Sequence, residues 1–96
     1  MSRAESKAMT IAKKVALFLK SKYGATRVML FGSLAKGFFD KGSDIDIYCE
    51  GIPKGDVLEA HAECTRVFRQ HEIDLIPDLF CHDRLRQRIL KEGIVL

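Results

Sequence analysis

Residues 43–51, SDIDIYCEG, alternate with a period of two, and only an extended strand turns that pattern into one apolar and one polar face. Ile45 and Ile47 point one way, while Asp44, Asp46 and Tyr48 point the other. Alternate residues of a strand project from the same face roughly 6.5 Å apart. Two carboxylates so placed repel each other unless cations or water intervene. The chain therefore needs a core on one side of this strand and a reason to hold two acids on the other.

The flanking segments supply the core. From about Glu5 to Tyr23, Ala8, Ile11, Ala12, Val15, Phe18 and Leu19 recur at helical spacing, and Gly24 gives a C-terminal stop. "TRVMLFG" reads as a buried strand, and Gly32-Ser33 begins a short helical turn at "SLAKG". Pro53 and Gly55 make a turn, and Asp56 with Glu59 has capping-box spacing for a helix running to about Gln70. "EIDLIP" is a third strand closed by Pro77. Asp83 is placed to cap a last helix stopped by Gly93. The apolar end Ile94-Val95-Leu96 fits either a strand end or a contact surface. This order predicts an α/β (α+β) domain, a small sheet covered by helices.

At 96 residues the chain suits one domain, 1–96, and not two. A composition of 47% hydrophobic and 30% charged residues is that of a globular protein. The net charge of +3 suits an anionic small ligand and does not by itself predict nucleic-acid binding. No apolar run reaches the roughly 18 residues of a membrane span, and MSRAESKAM lacks the apolar core of a secretory signal. Cys49, Cys64 and Cys81 are odd in number and lack CxxC spacing, which argues against a disulfide framework and a zinc site. The expected location is the cytoplasm.

The chemistry concentrates in "FGSLAKGFFDKGSDIDI", residues 31–47. Paired carboxylates on a strand are the kind that clamp two Mg²⁺ ions in phosphoryl and nucleotidyl transfer. Asp74, between Ile73 and Leu75, shows the same alternation, so neighbouring strands bring three carboxylates to one patch. Gly32 lets backbone approach a phosphate, Ser33 adds a hydroxyl, and Lys36 adds a cation. A lone Gly-Ser is usually a turn, and a lone Asp-x-Asp is usually a half-exposed strand. The combination in the right structural slots is far more specific. By contrast, His61 and Cys64 lie one helical turn apart with no second pair, and Cys81-His82 is equally unsupported. The basic run Arg84, Arg86, Arg88 and Lys91 reads as a solvated helix face.

On Gly32, Ser33, Ala35, Lys36, Gly37, Ser43, Asp44 and Asp46, the chain resembles the minimal nucleotidyltransferases, the MNT group of the DNA polymerase β-like superfamily. The likeness extends to the leading helix, "EIDLI" and "ILKEGIVL", nearly the whole chain. It implies a polymerase β palm-like nucleotidyltransferase fold with a small mixed sheet that binds ATP and Mg²⁺, two ions in the family arrangement. Asp44, Asp46 and Asp74 are then the metal ligands, with Asp74 helping to deprotonate an attacking hydroxyl. Gly32 and Ser33, with Lys36, hold the triphosphate. Two departures stand out. Lys36 replaces the commoner arginine and loses bidentate phosphate recognition, and Phe38-Phe39 is unusually aromatic, suited more to packing than to base stacking.

A domain this short leaves no residues for a second half around the nucleotide. The resemblance implies that a partner or another copy, as in a homo-oligomer, completes the site. Relatives of this size accompany a helical HEPN-domain protein, and some are antitoxins that transfer AMP to a tyrosine of that toxin. The first expectation is thus an adenylyltransferase antitoxin. The alternatives are a non-catalytic nucleotide-binding antitoxin and a transferase for a small hydroxylated molecule such as an aminoglycoside. Template-directed polymerisation and direct nucleic-acid binding are not expected.

Overall fold

A capping box starts the first helix two residues before the apolar periodicity does. In the computed structural model, which describes residues 2–40 and 42–96, α1 spans Arg3–Tyr23. Met1 and Lys41, the latter inside the 31–47 motif, lie outside the described residues. The Glu5 amide donates to Ser2 Oγ at 3.1 Å, and the Ser2 amide donates to Glu5 Oε1 at 3.1 Å. Two otherwise unpartnered amides are satisfied reciprocally. Gly24 ends the helix in the left-handed region at φ 74° and donates its amide to the Leu19 carbonyl. Ser2→Ala is expected to lower stability by about 1 kcal/mol, a fall in Tm of roughly 5 °C on thermal denaturation. An unchanged Tm would show that the cap is redundant.

The strands are β1 (Arg27–Phe31), β2 (Ile45–Glu50), β3 (Ile73–Pro77) and β4 (Ile94–Val95). They form one mixed sheet in the order β3-β2-β1-β4. β1 is antiparallel to both β2 and β4, and β2 is parallel to β3. A parallel pair needs a crossover, and α3 (Val57–Val67) is the helix within it. A five-residue helix α2 (Gly32–Lys36) follows β1, and α4 (Asp83–Glu92) precedes β4.

Strand alternation gives the sheet two different faces. Val28, Leu30, Ile45, Ile47, Cys49, Ile73 and Leu75 pack with Val15 and Leu19 of α1 and with Ala60 and Cys64 of α3. Val15, Leu19, Leu30, Ile45 and Ile47 are fully buried, each worth roughly 2 kcal/mol against exposure. On the opposite face Met29 and Tyr48 pack with Cys81 and with Ile89 of α4. This second cluster is small, and the sheet beyond it carries acids.

Several sequence expectations shift locally. Asp56 does not cap α3: it closes a 3-10 turn, Lys54–Asp56, in right-handed conformation, and its side chain makes no capping bond. α3 ends at Val67, not near Gln70. Pro77 is the last residue of β3, as the sequence suggests, and pairs opposite Cys49. At α4 the cap is His82, whose Nδ1 accepts the Leu85 amide at 3.3 Å, so Asp83 is the first helical residue. The C-terminal apolar end takes the strand option, with the Leu96 amide bonded to the Val28 carbonyl at 2.9 Å.

Candidate active site

The polar side of β2 begins one residue later than its sequence pattern predicts. Pairing starts at Ile45, whose amide donates to the Glu72 carbonyl at 2.9 Å. Asp44 therefore stands just outside the strand, exposed, and Asp46 is its first acidic residue, half-buried. The parallel register places Asp74 of β3 directly beside Asp46. Paired positions on neighbouring strands are separated by about 4.8 Å, so the two carboxylates share one patch.

Gly32 completes this patch from β1's end. Phe31 is the register partner of Asp46, and the chain turns at Gly32 with φ 76°. A Cβ there would lie 2.9 Å from Asp46 Cγ and 3.3 Å from its Cβ. The glycine thus serves two needs, a left-handed turn and room for the Asp46 side chain. Ser33 lies half-buried in the first turn of α2, and Lys36 is exposed at that helix's far end. Among the described residues Lys36 forms no ion pair with Asp44, Asp46 or Asp74.

The loop between α2 and β2 is tied together by its own polar residues. Asp40 Oδ1 accepts the Gly42 amide at 2.9 Å and the Ser43 hydroxyl at 3.2 Å. Ser43, part of the sequence signature, thus has a structural use in returning the chain to β2. The aromatic pair divides. Phe39 is buried edge-on against His71, whereas Phe38 is 77% exposed.

Electrostatics mark Asp46 out. Its pKa rises to about 6, first because burial disfavours the charged form, then because Asp74 and Asp44 repel it. Farther along the same face, Tyr48 donates to Glu50 Oε2 at 2.6 Å and Arg27 Nη2 reaches the same oxygen at 2.7 Å. Those bonds, from Arg27 and then Tyr48, hold the Glu50 carboxyl below its usual range. Glu50 is thereby neutralised, while Asp46 and Asp74 lack any such cation among the described residues. Sequence patterning did not separate these acids, because the distinction rests on Arg27 arriving from the neighbouring strand.

Other tempting groups are engaged elsewhere. His61 Nε2 lies 3.2 Å from the Ile73 carbonyl. Arg86, read from sequence as solvated, reaches Asp83 at 2.6 Å and the Asp78 and Cys81 carbonyls at 2.7 and 2.8 Å. It clamps the segment before α4. The described residues contain no ready group of three His, Cys, Asp or Glu side chains around one point. Asp46, half-buried, and Asp74, exposed, are the pair held by strand register, with Asp44 exposed beside them.

A mixed sheet with in-register aspartates beside a Gly-Ser turn defines a nucleotidyltransferase-type domain. The chain belongs to the nucleotidyltransferase domain family, which matches residues 12–96. No curated protein matches the chain. Among solved structures it is similar to a minimal nucleotidyltransferase at 28% identity and TM-score 0.77, covering 96% of this chain and 95% of that one. A toxin–antitoxin crystal structure with AMP-PNP aligns at 19% identity and TM-score 0.64, over 95% of this chain and 70% of that one. The tri-AMPylated Shewanella oneidensis HEPN toxin in complex with MNT antitoxin aligns at 17% identity and TM-score 0.55, over 96% and 67%. At those identities the last two establish the shared fold.

Proposed function

We propose that the protein is a Mg²⁺-dependent adenylyltransferase of antitoxin type that transfers AMP from ATP to a tyrosine hydroxyl of a helical HEPN-domain partner. The observation that carries this reading is the direct pairing of Asp46 with Asp74 beside Gly32. Hard carboxylate oxygens suit Mg²⁺, and burial first, then the Asp74 and Asp44 charges, disfavour an ionised Asp46 that a cation would relieve. Asp46 and Asp74, with the exposed Asp44 beside them, would hold the ion. When bound, Mg²⁺ supplies positive charge against the triphosphate and the developing charge on the transferring group.

The chain's own residues do the rest. Gly32 and Ser33 present backbone and hydroxyl to the triphosphate, and Lys36 adds a point charge without the fork of an arginine. Asp74 accepts the proton of the attacking hydroxyl. The hydroxyl oxygen bonds to the α-phosphorus as the bond to the β-phosphate oxygen breaks, and pyrophosphate leaves with that electron pair. Similarity to structures described as an AMP-PNP complex and as an AMPylated toxin complex supports the choice of nucleotide and acceptor.

Incubation with Mg²⁺, the HEPN partner and ATP labelled at the α-phosphate should label the partner; label at the γ-phosphate should not transfer. Absence of α-label under conditions where ATP binds would overturn the reading. The exposure of Asp44 outside β2 favours one second reading, nucleotide binding without transfer. Under that reading, antitoxin action survives replacement of Asp44 and Asp46 by asparagine.

A further inference from the structure

α1 concentrates the positive charge of the molecule. It holds six basic residues and one acid, although the whole chain carries only +3, so the remainder is net acidic. Beside α1 run three adjoining hollows of about 530, 490 and 360 Å³. They share Lys7, Lys14, Ile11, Gln70 and His71 between neighbours, which makes them one groove between α1 and the segment leaving α3. Arg3 stands at one end and Arg69 at the other. Among the described residues no acidic side chain lines the groove, and none of Arg3, Lys7, Lys14 and Arg69 is ion-paired.

The lining is mixed, with apolar side chains set among the cations. Ile11 and Phe68 form part of it, and Val67 lies at its edge with 56% of its surface exposed. We propose that this groove docks an acidic amphipathic segment of a partner protein, its acids on Lys7, Lys14 and Arg69 and its apolar side on Val67. From Arg3 to Lys14 the helix rises about 17 Å, the length of three turns of a docked helix. Single-stranded nucleic acid needs exposed rings on which bases stack. The aromatics here are turned inward, Phe39 against His71 and Phe68 edge-on to Phe18.

The groove belongs to the α1–α3 layer, whereas Asp46 and Asp74 lie on the opposite face of the sheet. The inference rests on the charge and lining of this groove and stands independently of nucleotidyl transfer. It predicts that positive charge and apolar contact act together on the α1 side of the sheet.

The test is fluorescence anisotropy with a labelled 15-residue peptide carrying glutamates on one helical face and leucines on the other. An oligoglutamate of equal charge and a 15-nucleotide single-stranded RNA serve as comparators. The amphipathic peptide should bind about tenfold more tightly than either. Lys7→Glu/Lys14→Glu/Arg69→Glu, checked for folding by circular dichroism, should weaken it by about tenfold or more, and Val67→Ser by about threefold. If the triple variant misfolds, Val67→Ser alone decides. RNA binding tighter than the peptide, parity of oligoglutamate with the peptide, no binding by the wild type, or peptide binding unmoved by the variants would each overturn the proposal.

Discussion

Asp46→Asn is expected to reduce nucleotidyl transfer on the order of 10³-fold while making the metal-free protein more stable at pH 8. The stability gain follows from the raised pKa. Folded Asp46 titrates at about 6, against roughly 3.9 for an unfolded aspartate. The native carboxyl therefore binds its proton more tightly than the unfolded one. The stability this contributes is full below about pH 4 and is lost as pH rises through about 6. At pH 8 an ionised, half-buried Asp46 faces Asp74 and Asp44, and a neutral asparagine relieves that repulsion. Discounted for solvent screening, the gain is about 1 kcal/mol. Urea unfolding at pH 8 and at pH 4 measures it: the variant should lead at pH 8 and lose its lead at pH 4. Mg²⁺ should raise the Tm of the wild type and leave the variant nearly unmoved. A variant less stable than wild type at pH 8 would show that Asp46 is held by favourable contacts rather than strained by its neighbours.

Gly32→Ala is expected to destabilise the protein by about 2–3 kcal/mol and to cut transfer by more than about 100-fold. Two causes add. The φ of 76° belongs to the left-handed region, which costs an alanine roughly 1 kcal/mol. The new Cβ also drives into the Asp46 side chain, with Cγ at 2.9 Å. The second cause depends on that side chain being present. In an Asp46→Ala background the penalty should therefore fall toward about 1 kcal/mol, a coupling that a double-mutant cycle reads directly. Full additivity of the two substitutions would mean that the Gly32–Asp46 contact contributes nothing. A Gly32→Ala protein with wild-type stability and activity would remove the geometric basis of the site.

The patterns that carried the fold were those in which local sequence and tertiary packing agree. The helical spacing in α1 and the alternation of Ile45 and Ile47 both survive as buried faces of the sheet core. What stayed hidden was mostly local competition. Asp56 has the spacing of a cap, yet the Lys54–Asp56 turn holds its backbone in the wrong conformation for one. His82 takes the cap of α4 because its ring nitrogen reaches the Leu85 amide, and nothing in the pattern ranks it above Asp83. Within the candidate site, the alternation around Asp74 was legible, but its register opposite Asp46 was not. That register depends on residues 28 positions apart in sequence meeting in a parallel pairing. The role of Gly32 was only half legible. Close backbone approach is a general property of glycine, whereas the room it leaves for Asp46 is a fact of this packing.

The sheet order carries one more consequence, for dynamics. β3 is an outer strand, hydrogen-bonded to a neighbour on one side only, through β2. Edge strands open more readily than central ones, and their amides exchange with solvent through such local opening. Asp74 rides on that edge, while Asp46 is fixed in the interior of the sheet. The fraction of molecules holding both carboxylates together can be no larger than the fraction in which β3 is zipped to β2. The protection of the Ile73–Pro77 segment against hydrogen exchange thus sets a ceiling on how much of the protein is ready for its substrate at any moment.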